Sequence, residues 1–293
     1  MRQGGAALKQ RQPHPGVEMS ISTNCGEIKV TGDMKDVKLQ NMTWEEVEKL
    51  REECKGVVII PVGSTEQHGA HLPLGTDTLL AISLAEEVGQ KARVPVAPPL
   101  YFGWSPHHLA LPGTISIRAE VLTEVLFDVF RSLAEHAFDK FIVINGHRIV
   151  NIPWMQIAAE RAQRELKVKV FLFDPAYASR SLREKLGFHG VGHADDIETS
   201  HMLYCHPDLV HMDKAIDFSV TSNLPYTVDP SELRDTLCYV PSTKETIALH
   251  VQESKGSSGY PTAASREKGK VYHNYLVTFL IDVINRIRAG ADV

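Results

Sequence analysis

The chain has 293 residues, of which 43% are hydrophobic and 23% charged. These fractions exclude a collagen, a disordered tail protein and a small disulfide-dense domain. The formal net charge of −5 gives no electrostatic reason to expect nucleic acid or an anionic membrane as a partner. Apolar runs stay shorter than the ~18–20 residues that cross a bilayer. The length is sufficient for one large α/β domain.

The sequence predicts two parts, a flexible leader over residues 1–20 and one folded domain over residues 21–293. Residues 1–16 lack the apolar stretch of a secretory signal, and residues 21–40 alternate weakly, as in a hairpin or an arm. The four cysteines are scattered and form no C-x-x-C pair. We therefore expect reduced thiols and a cytoplasmic location.

The first half of the chain predicts strands that alternate with helices. Thr43 and Glu46 form a capping-box pattern that predicts a helix start. The β-branched run at 57–63 ends in glycine and is typical of a strand buried on both faces. A second helix is predicted to begin at Thr76 or Asp77, before a short strand at 93–99.

The same alternation continues to the C-terminal end. We predict strands at 140–146 and 168–174, and helices at 119–138, 152–166, 197–204 and 269–288. Residues 206–268 are rich in turns. This order predicts an α/β fold around a mainly parallel sheet, whose functional loops follow the carboxyl ends of the strands.

The loop after the first strand contains the densest group of possible metal ligands. Glu66 and His68 are two residues apart and would point to the same side of an extended segment, and Asp77 follows at a helix start. Carboxylate and imidazole donors suit Zn²⁺, Mn²⁺ or Fe²⁺ better than Ca²⁺ or Mg²⁺. Each residue alone is compatible with a solvated loop or a helix cap, but their density beside a buried strand favours a metal site.

Two later segments carry further candidates. His147 follows Asn145-Gly146 at the end of the second buried strand, where it could face the same crevice or lie exposed in a turn. His193 precedes Glu198 by five residues. We interpret His193 as a general acid/base and Glu198 as another metal carboxylate, although an acidic helix start would have the same pattern.

Two weaker motifs are present, and several common enzyme motifs are absent. His107-His108 and the Gly259-Tyr260-Pro261 turn could line a pocket. The chain contains no G-x-S-x-G, Walker A, G-x-G-x-x-G or H-E-x-x-H motif. These absences argue against the common classes of serine hydrolase, NTPase, dinucleotide-binding protein and zincin metalloprotease.

Five segments, in order, resemble the creatininase (creatinine amidohydrolase) family over about residues 38–288. They are Glu66-Gln67-His68-Gly69 with Thr76-Asp77, Leu111-Pro112-Gly113-Thr114, Asn145-Gly146-His147, His193 to Ser200, and Ala264 to Gly269. The resemblance implies a three-layer α/β/α sandwich, a site for two divalent metal ions, and a homohexamer built as a trimer of dimers.

The resemblance also implies roles for individual residues. Glu66 and His147 would bind one ion and His68 the other, with Asp77 bridging them. His193 matches the catalytic histidine, and Glu198 would be the remaining ligand or its close support.

The segment after His147 departs from the family pattern. Members commonly have N-G-H-G-G-N, and creatininase itself has a tyrosine and a metal-binding glutamate there, whereas this chain has Arg148-Ile149. Ile149 cannot bind a metal, which argues against creatininase activity itself. Arg148 adds a cation that could bind an oxyanion or a hydroxyl- or carboxylate-bearing substrate, so we include it among the catalytic candidates.

We therefore expect a metal-dependent hydrolase in which activated water attacks a carbonyl of a small cyclic substrate, with Zn²⁺ and/or Mn²⁺ as cofactors and Fe²⁺ also possible. Alternatives are C–C ring opening of an oxidised inositol and deformylation of a formamide. A metal-stabilised scaffold protein is the non-enzymatic alternative, but it would favour a closed ligand set.

Overall fold

A parallel sheet carries the loops of the candidate site. The computed structural model describes residues 36–219 and 251–290. Among these, strands β1 (Val57–Val62), β2 (Lys140–Asn145) and β3 (Lys169–Phe173) lie side by side in that order. Both neighbouring pairs run parallel, so the loops that follow the strands open on one edge of the sheet.

Helices cover the sheet in two packed groups. The described helices are α1 (Trp44–Glu53), α2 (Thr76–Ala92), α3 (Ala119–Ala134), α4 (Ile152–Leu166), α5 (Pro175–Ala178), α6 (Arg180–Leu186), α7 (Asp196–Cys205) and α8 (Arg266–Arg288). Helix α3 packs against α4, which also contacts β3, while α2 contacts β1 and packs with α7 and α8. Every residue of β1 is buried, which requires cover on both faces. The predicted α/β/α sandwich with a parallel sheet is therefore confirmed.

Local signals explain most of these boundaries. The capping box is present at the start of α1, where the Thr43 side chain accepts from the Glu46 backbone N–H and Glu46 reaches back to Thr43. Helix α8 begins earlier than predicted because the Ser265 side chain caps it by accepting from the Lys268 backbone N–H. Helix α3 ends before 138, and Ala137 adopts a left-handed φ of 60°.

The strand predicted at 93–99 is wrong as a full strand. Among the described residues, this segment forms isolated parallel bridges in which Val96 pairs with Ile59 of β1 and with Lys38, and Leu100 just after it bridges to Val62. Its three prolines have no backbone N–H and cannot complete a ladder.

Other predictions fall in residues that the structure leaves undescribed. The leader at 1–20, most of the weakly alternating segment at 21–40, and residues 220–250 of the turn-rich segment lie outside the described ranges. Among the described helices, none has the length and hydropathy that a membrane-spanning segment needs.

Candidate metal centre

Two glycines bring the ends of β1 and β2 against the start of α2. A Cβ on Gly63 would lie 2.5 Å from the Thr78 Cα, and one on Gly146 would lie 2.1 Å from the Asp77 carbonyl oxygen. Either contact would force the backbone segments apart. The absence of side chains at these two positions therefore allows Asp77, in the first turn of α2, to reach the loops that follow both strands.

Asp77 lies between two imidazoles. Its Oδ1 is 3.1 Å from His68 Nε2, and its Oδ2 is 3.0 Å from His147 Nδ1. On the far side of His147, Nε2 is 3.2 Å from Glu66 Oε2. All four side chains are buried. The structure thus brings together the predicted residues from the loops after β1 and β2.

The donor atoms of this group fit a metal ion. Glu66 Oε1, Asp77 Oδ2 and His147 Nε2 are buried, and their close polar neighbours do not form well-oriented hydrogen bonds to them among the described residues. Glu66, Asp77 and His147 each offer a ligand atom within 4.8 Å of the others. Leaving such atoms unsatisfied is costly, and a divalent cation would satisfy them.

A second donor set adjoins the first. His68, His193 and Glu198 also offer ligand atoms within 4.8 Å of one another, and His68 Nε2 lies 3.9 Å from Glu198 Oε2. The two carboxylate oxygens of Asp77 face different sets. The predicted bridging position of Asp77 is compatible with this arrangement.

The carboxylates make this pocket attractive to positive charge. Burial opposes charging of His68, but Asp77, Glu198 and Glu66 together outweigh this effect and raise the pKa of His68 to about 10. Burial likewise opposes charging of His147, yet Glu66 and Asp77 raise its pKa to about 9. Protons are thus held where metal ions would bind, and a cation would displace them.

His193 faces the same centre from the loop before α7. That loop is held by a backbone bridge, in which His193 and Ser258 exchange hydrogen bonds of 2.8 and 2.7 Å. His193 Nε2 donates to the Gln67 carbonyl oxygen at 2.5 Å, because a carbonyl can only accept. Its Nδ1 is then unprotonated and lies 3.6 Å from Glu66 Oε1. Burial and the neighbouring His68 keep the pKa of His193 well below its usual value.

Arg148 does not point freely into the centre. Its guanidinium is 8% exposed and donates to Glu198 Oε1 through Nε at 2.9 Å and to Asp195 Oδ2 through Nη2 at 2.9 Å. Burial opposes its charge, but Asp195 and Glu198 raise its pKa well above the usual value. The structure therefore places Arg148 as a support of Glu198, and its direct role toward substrate stays a prediction.

The structure adds two histidines to the centre. His108 Nε2 is 3.4 Å from Glu66 Oε1, and the His108 ring stacks on His193 with centroids 3.9 Å apart. The His107 ring lies 6.0 Å from that of His147, nearly parallel to it. Burial and His147 lower the pKa of His107 to about 4. The pair before Leu111-Pro112-Gly113-Thr114 was the sequence signal for these residues, but it did not identify them as neighbours of the metal ligands.

Asp174, directly after β3, was also not among the predicted site residues. One of its oxygens accepts from the Asn145 side chain at 2.8 Å and from the Ile149 backbone N–H at 2.6 Å. These bonds hold the turn that carries His147. Ile149 sits there with a left-handed φ of 67°, a conformation that favours the glycine common in the family.

Known proteins are similar to this chain over most of its length. The family model described as Creatininase, creatinine amidohydrolase, matches residues 40–284. Creatinine amidohydrolase of Pseudomonas putida is 30% identical over 85% of this chain and 96% of its own. The 3-dehydro-scyllo-inosose hydrolase of Thermotoga maritima is 29% identical over 87% of this chain and 86% of its own.

Solved structures of creatininases are similar to this chain over most of its length. A mutant creatininase of the Zn-Zn type has a TM-score of 0.72 and 28% identity, covering 86% of this chain and 98% of its own. A creatininase described with Mn has a TM-score of 0.69 and 29% identity over the same shares. With its parallel sheet, its motifs in order and these similarities, the chain belongs to the creatininase family, and it is a hydrolase of that family.

Proposed function

We propose that this chain is a divalent-metal-dependent hydrolase in which water attacks a carbonyl carbon of a small cyclic substrate. The observation that carries the proposal is the convergence of buried, unpartnered atoms of Glu66, Asp77 and His147 at one point, beside His68. This mixed donor set suits Zn²⁺ or Mn²⁺, and Fe²⁺ is compatible with it. The Zn-Zn and Mn descriptions of related creatininase structures support the same choice.

The residues divide into two ligand groups. Glu66 and His147 would hold one ion, His68 and Glu198 the other, and Asp77 both. When bound, such ions lower the pKa of a water molecule and polarise a carbonyl oxygen. With Asp77 shared, three carboxylates and two imidazoles would give each ion three protein ligands and leave a position for water or substrate, unlike the closed four-ligand set of a structural ion. This favours an enzyme over a metal-stabilised scaffold.

The proton is moved by His193. Because Nε2 is held by the Gln67 carbonyl, Nδ1 is the nitrogen that accepts a proton and delivers it to the leaving atom. The low pKa of His193 keeps the imidazole neutral and able to accept. His108 stacks on the same ring and restricts its rotation.

The substrate class that we propose is a small cyclic amide, with a polyhydroxylated cyclic diketone as the second candidate, in which the second carbonyl would accept the electron pair of the broken C–C bond. Ile149 occupies the position where creatininase has a metal-binding glutamate, which disfavours creatinine itself. The second candidate rests on the imidazoles of His107, His108 and His193, which offer several hydrogen-bonding groups to ring hydroxyls. The inosose hydrolase relative supports this candidate, for which the broken bond would be C–C. A formamide is the third candidate substrate.

A substrate panel tests the proposal directly. The chain is stripped with a chelator, reloaded with Zn²⁺ or Mn²⁺, and assayed with creatinine, a formylamino pyrimidine and a keto-inositol. We expect turnover of one class that is lost on stripping and restored on reloading. Turnover that survives stripping would contradict the metal mechanism, and no turnover of any member by fully loaded protein would contradict the substrate class.

We also propose that the chain acts as a homohexamer in the cytoplasm, with a small-molecule substrate as its ligand and no nucleic acid or membrane partner. The family membership supports assembly, and the exposed apolar side chains of Ile157 and Leu109 are candidates for burial between copies. The free thiols of Cys54 and Cys205 support a reducing compartment. Native mass spectrometry that finds monomers would contradict the hexamer.

A further inference from the structure

A second group of metal-binding side chains lies between α7 and α8. His201 and Cys205 are one helical turn apart on α7, and His273 faces them from α8. His201 Nε2 is 2.7 Å from His273 Nδ1, and Cys205 Sγ is 3.6 Å from the same nitrogen. The three residues offer ligand atoms that all lie within 4.8 Å of one another. None of them belongs to the metal centre described above.

Glu87 orients one of the two imidazoles. The Glu87 carboxylate, on α2, accepts from His273 Nε2 at 3.0 Å. With its proton on Nε2, the His273 ring presents Nδ1 as a lone pair toward His201 and Cys205. A carboxylate that holds the outer N–H of a histidine is the usual support of a metal-binding imidazole.

Burial keeps the two histidine rings in their neutral form. His201 is 4% exposed and His273 is 1% exposed. Burial lowers the pKa of each below its usual value, so both rings are neutral, as a metal ligand must be. Cys205 is only partly buried, which gives the group an approach from solvent.

We propose that His201, Cys205 and His273 bind one thiophilic divalent cation of the Zn²⁺ type. Tetrahedral Zn²⁺ with ordinary bond lengths separates a nitrogen and a sulfur ligand by about 3.6 Å and two nitrogens by about 3.3 Å. The observed N···S distance of 3.6 Å already matches this value. The observed N···N distance of 2.7 Å requires the two rings to move apart by about 0.6 Å. A water molecule would complete the tetrahedron.

Binding would release one proton at this site. On binding, the S–H bond of Cys205 breaks, its proton goes to solvent, and the sulfur electron pair forms the bond to the cation without any oxidation or reduction. Burial raises the pKa of that thiol to about 12, so the cation must displace a firmly held proton. The thiolate supplies one negative charge to the cation, and the adjacent Glu87 carboxylate also pairs with Lys91 at 2.7 Å.

The competing explanation is a hydrogen-bonded chain with no ion. In that arrangement His201 Nε2–H donates to His273 Nδ1, and His273 Nε2–H donates to Glu87, which also accounts for the short N···N distance. The thiol of Cys205 has no necessary part in such a chain. Direct evidence for a metal–sulfur bond therefore separates the two explanations.

Cobalt substitution supplies that evidence. The metal-stripped full chain is titrated with Co²⁺, and absorption is recorded in the near-ultraviolet, where thiolate-to-Co²⁺ charge transfer appears. The metal centre has no sulfur ligand among its described candidates, and loss of the band in Cys205→Ser would assign the band to the second site. We expect the band in the native chain and in Cys54→Ser, the matched buried-thiol control, and its loss in Cys205→Ser. Zinc analysis should find one ion fewer per chain in Cys205→Ser than in Cys54→Ser.

A second variant protects the test against misfolding of the first. His273→Asn removes a ligand and leaves the thiol, and we expect the charge-transfer band to be lost or shifted in energy while circular dichroism shows folded protein. The proposal is overturned if the native chain shows no thiolate band at saturating Co²⁺, or if the band persists unchanged in Cys205→Ser. In either case the hydrogen-bonded chain is the correct description.

Discussion

Arg148 and Glu198 form a close buried ion pair, with Arg148 Nη2 2.6 Å from Glu198 Oε1. The other oxygen of Glu198 accepts from the Ala194 backbone N–H at 2.7 Å and is the one that faces His68. Glu198 is thus held in one orientation by two donors. Any effect of Arg148 on the candidate metal centre would therefore pass through this carboxylate.

Removing that cation should weaken the second metal position. In Arg148→Ala, Glu198 and Asp195 lose a buried partner, so we expect affinity for the ion beside His68 to fall by ~10–100-fold and the free energy of unfolding to fall by about 3–5 kcal/mol. Calorimetric metal titration and denaturant unfolding measure the two effects. Arg148→Lys, which keeps the charge but not the planar fork, should lie between the two proteins. Equal affinity in all three proteins would show that Glu198 does not bind metal.

His193→Ala should separate catalysis from metal binding. Loss of a general acid/base lowers turnover by ~10²–10⁴-fold. Both metal ions should remain, because His193 lies within reach of His68 and Glu198 but is not among the five ligands proposed for the ions. Turnover and metal content are measured on the same preparation. His136→Ala, an exposed histidine at the end of α3, is the control and should match the native protein. Unchanged turnover in His193→Ala would remove this residue from the mechanism.

Asp77→Ala should lower the occupancy of both ions, because each of the two carboxylate oxygens faces a different donor set. Metal analysis after dialysis against limiting Zn²⁺ measures the occupancy. Asp128→Ala removes an exposed carboxylate on α3 and should leave both ions bound. Loss of a single ion from Asp77→Ala would show that the bridging assignment is wrong.

Thr43→Ala tests the capping box far from the metal centre. The Thr43 hydroxyl accepts from the Glu46 backbone N–H, so its removal should lower the free energy of unfolding by about 1 kcal/mol. Thermal or denaturant unfolding measures the change, and catalytic activity should be unaffected. Thr43→Ser keeps the hydroxyl and should restore most of the stability. If the alanine and serine variants are equally stable, the cap contributes nothing.

The strands and the main ligands were predictable because their signals are local. The buried run at 57–63 ends at a glycine, and Glu66 and His68 follow within five residues, so one short segment carries both the strand and the donors. The same holds for His147 after β2. Such patterns depend on burial and alternation, which the sequence displays directly.

The supports of the ligands were not predictable in this way. Asp174 holds the turn of His147 from 25 residues beyond Ile149, and Arg148 reaches Glu198 across 50 residues. These pairings depend on which strands become neighbours and on how the loops fold back. Arg148, predicted as a cation that could bind substrate, is paired with Glu198 and Asp195 in the structure, and its role toward substrate stays a prediction.

The contact of Gly63 and Gly146 with the first turn of α2 ties the metal-binding atoms to the buried framework. The groups that surround those atoms, such as His107 and His108, come from a separate loop, and Gln67 links that loop to Gly256. We therefore expect chemistry and substrate recognition to depend on different segments of the chain. Substitutions in the outer stretches can change which molecule fits while leaving the reactive atoms in place. Relatives of nearly equal identity can accordingly be named for creatinine and for an inosose.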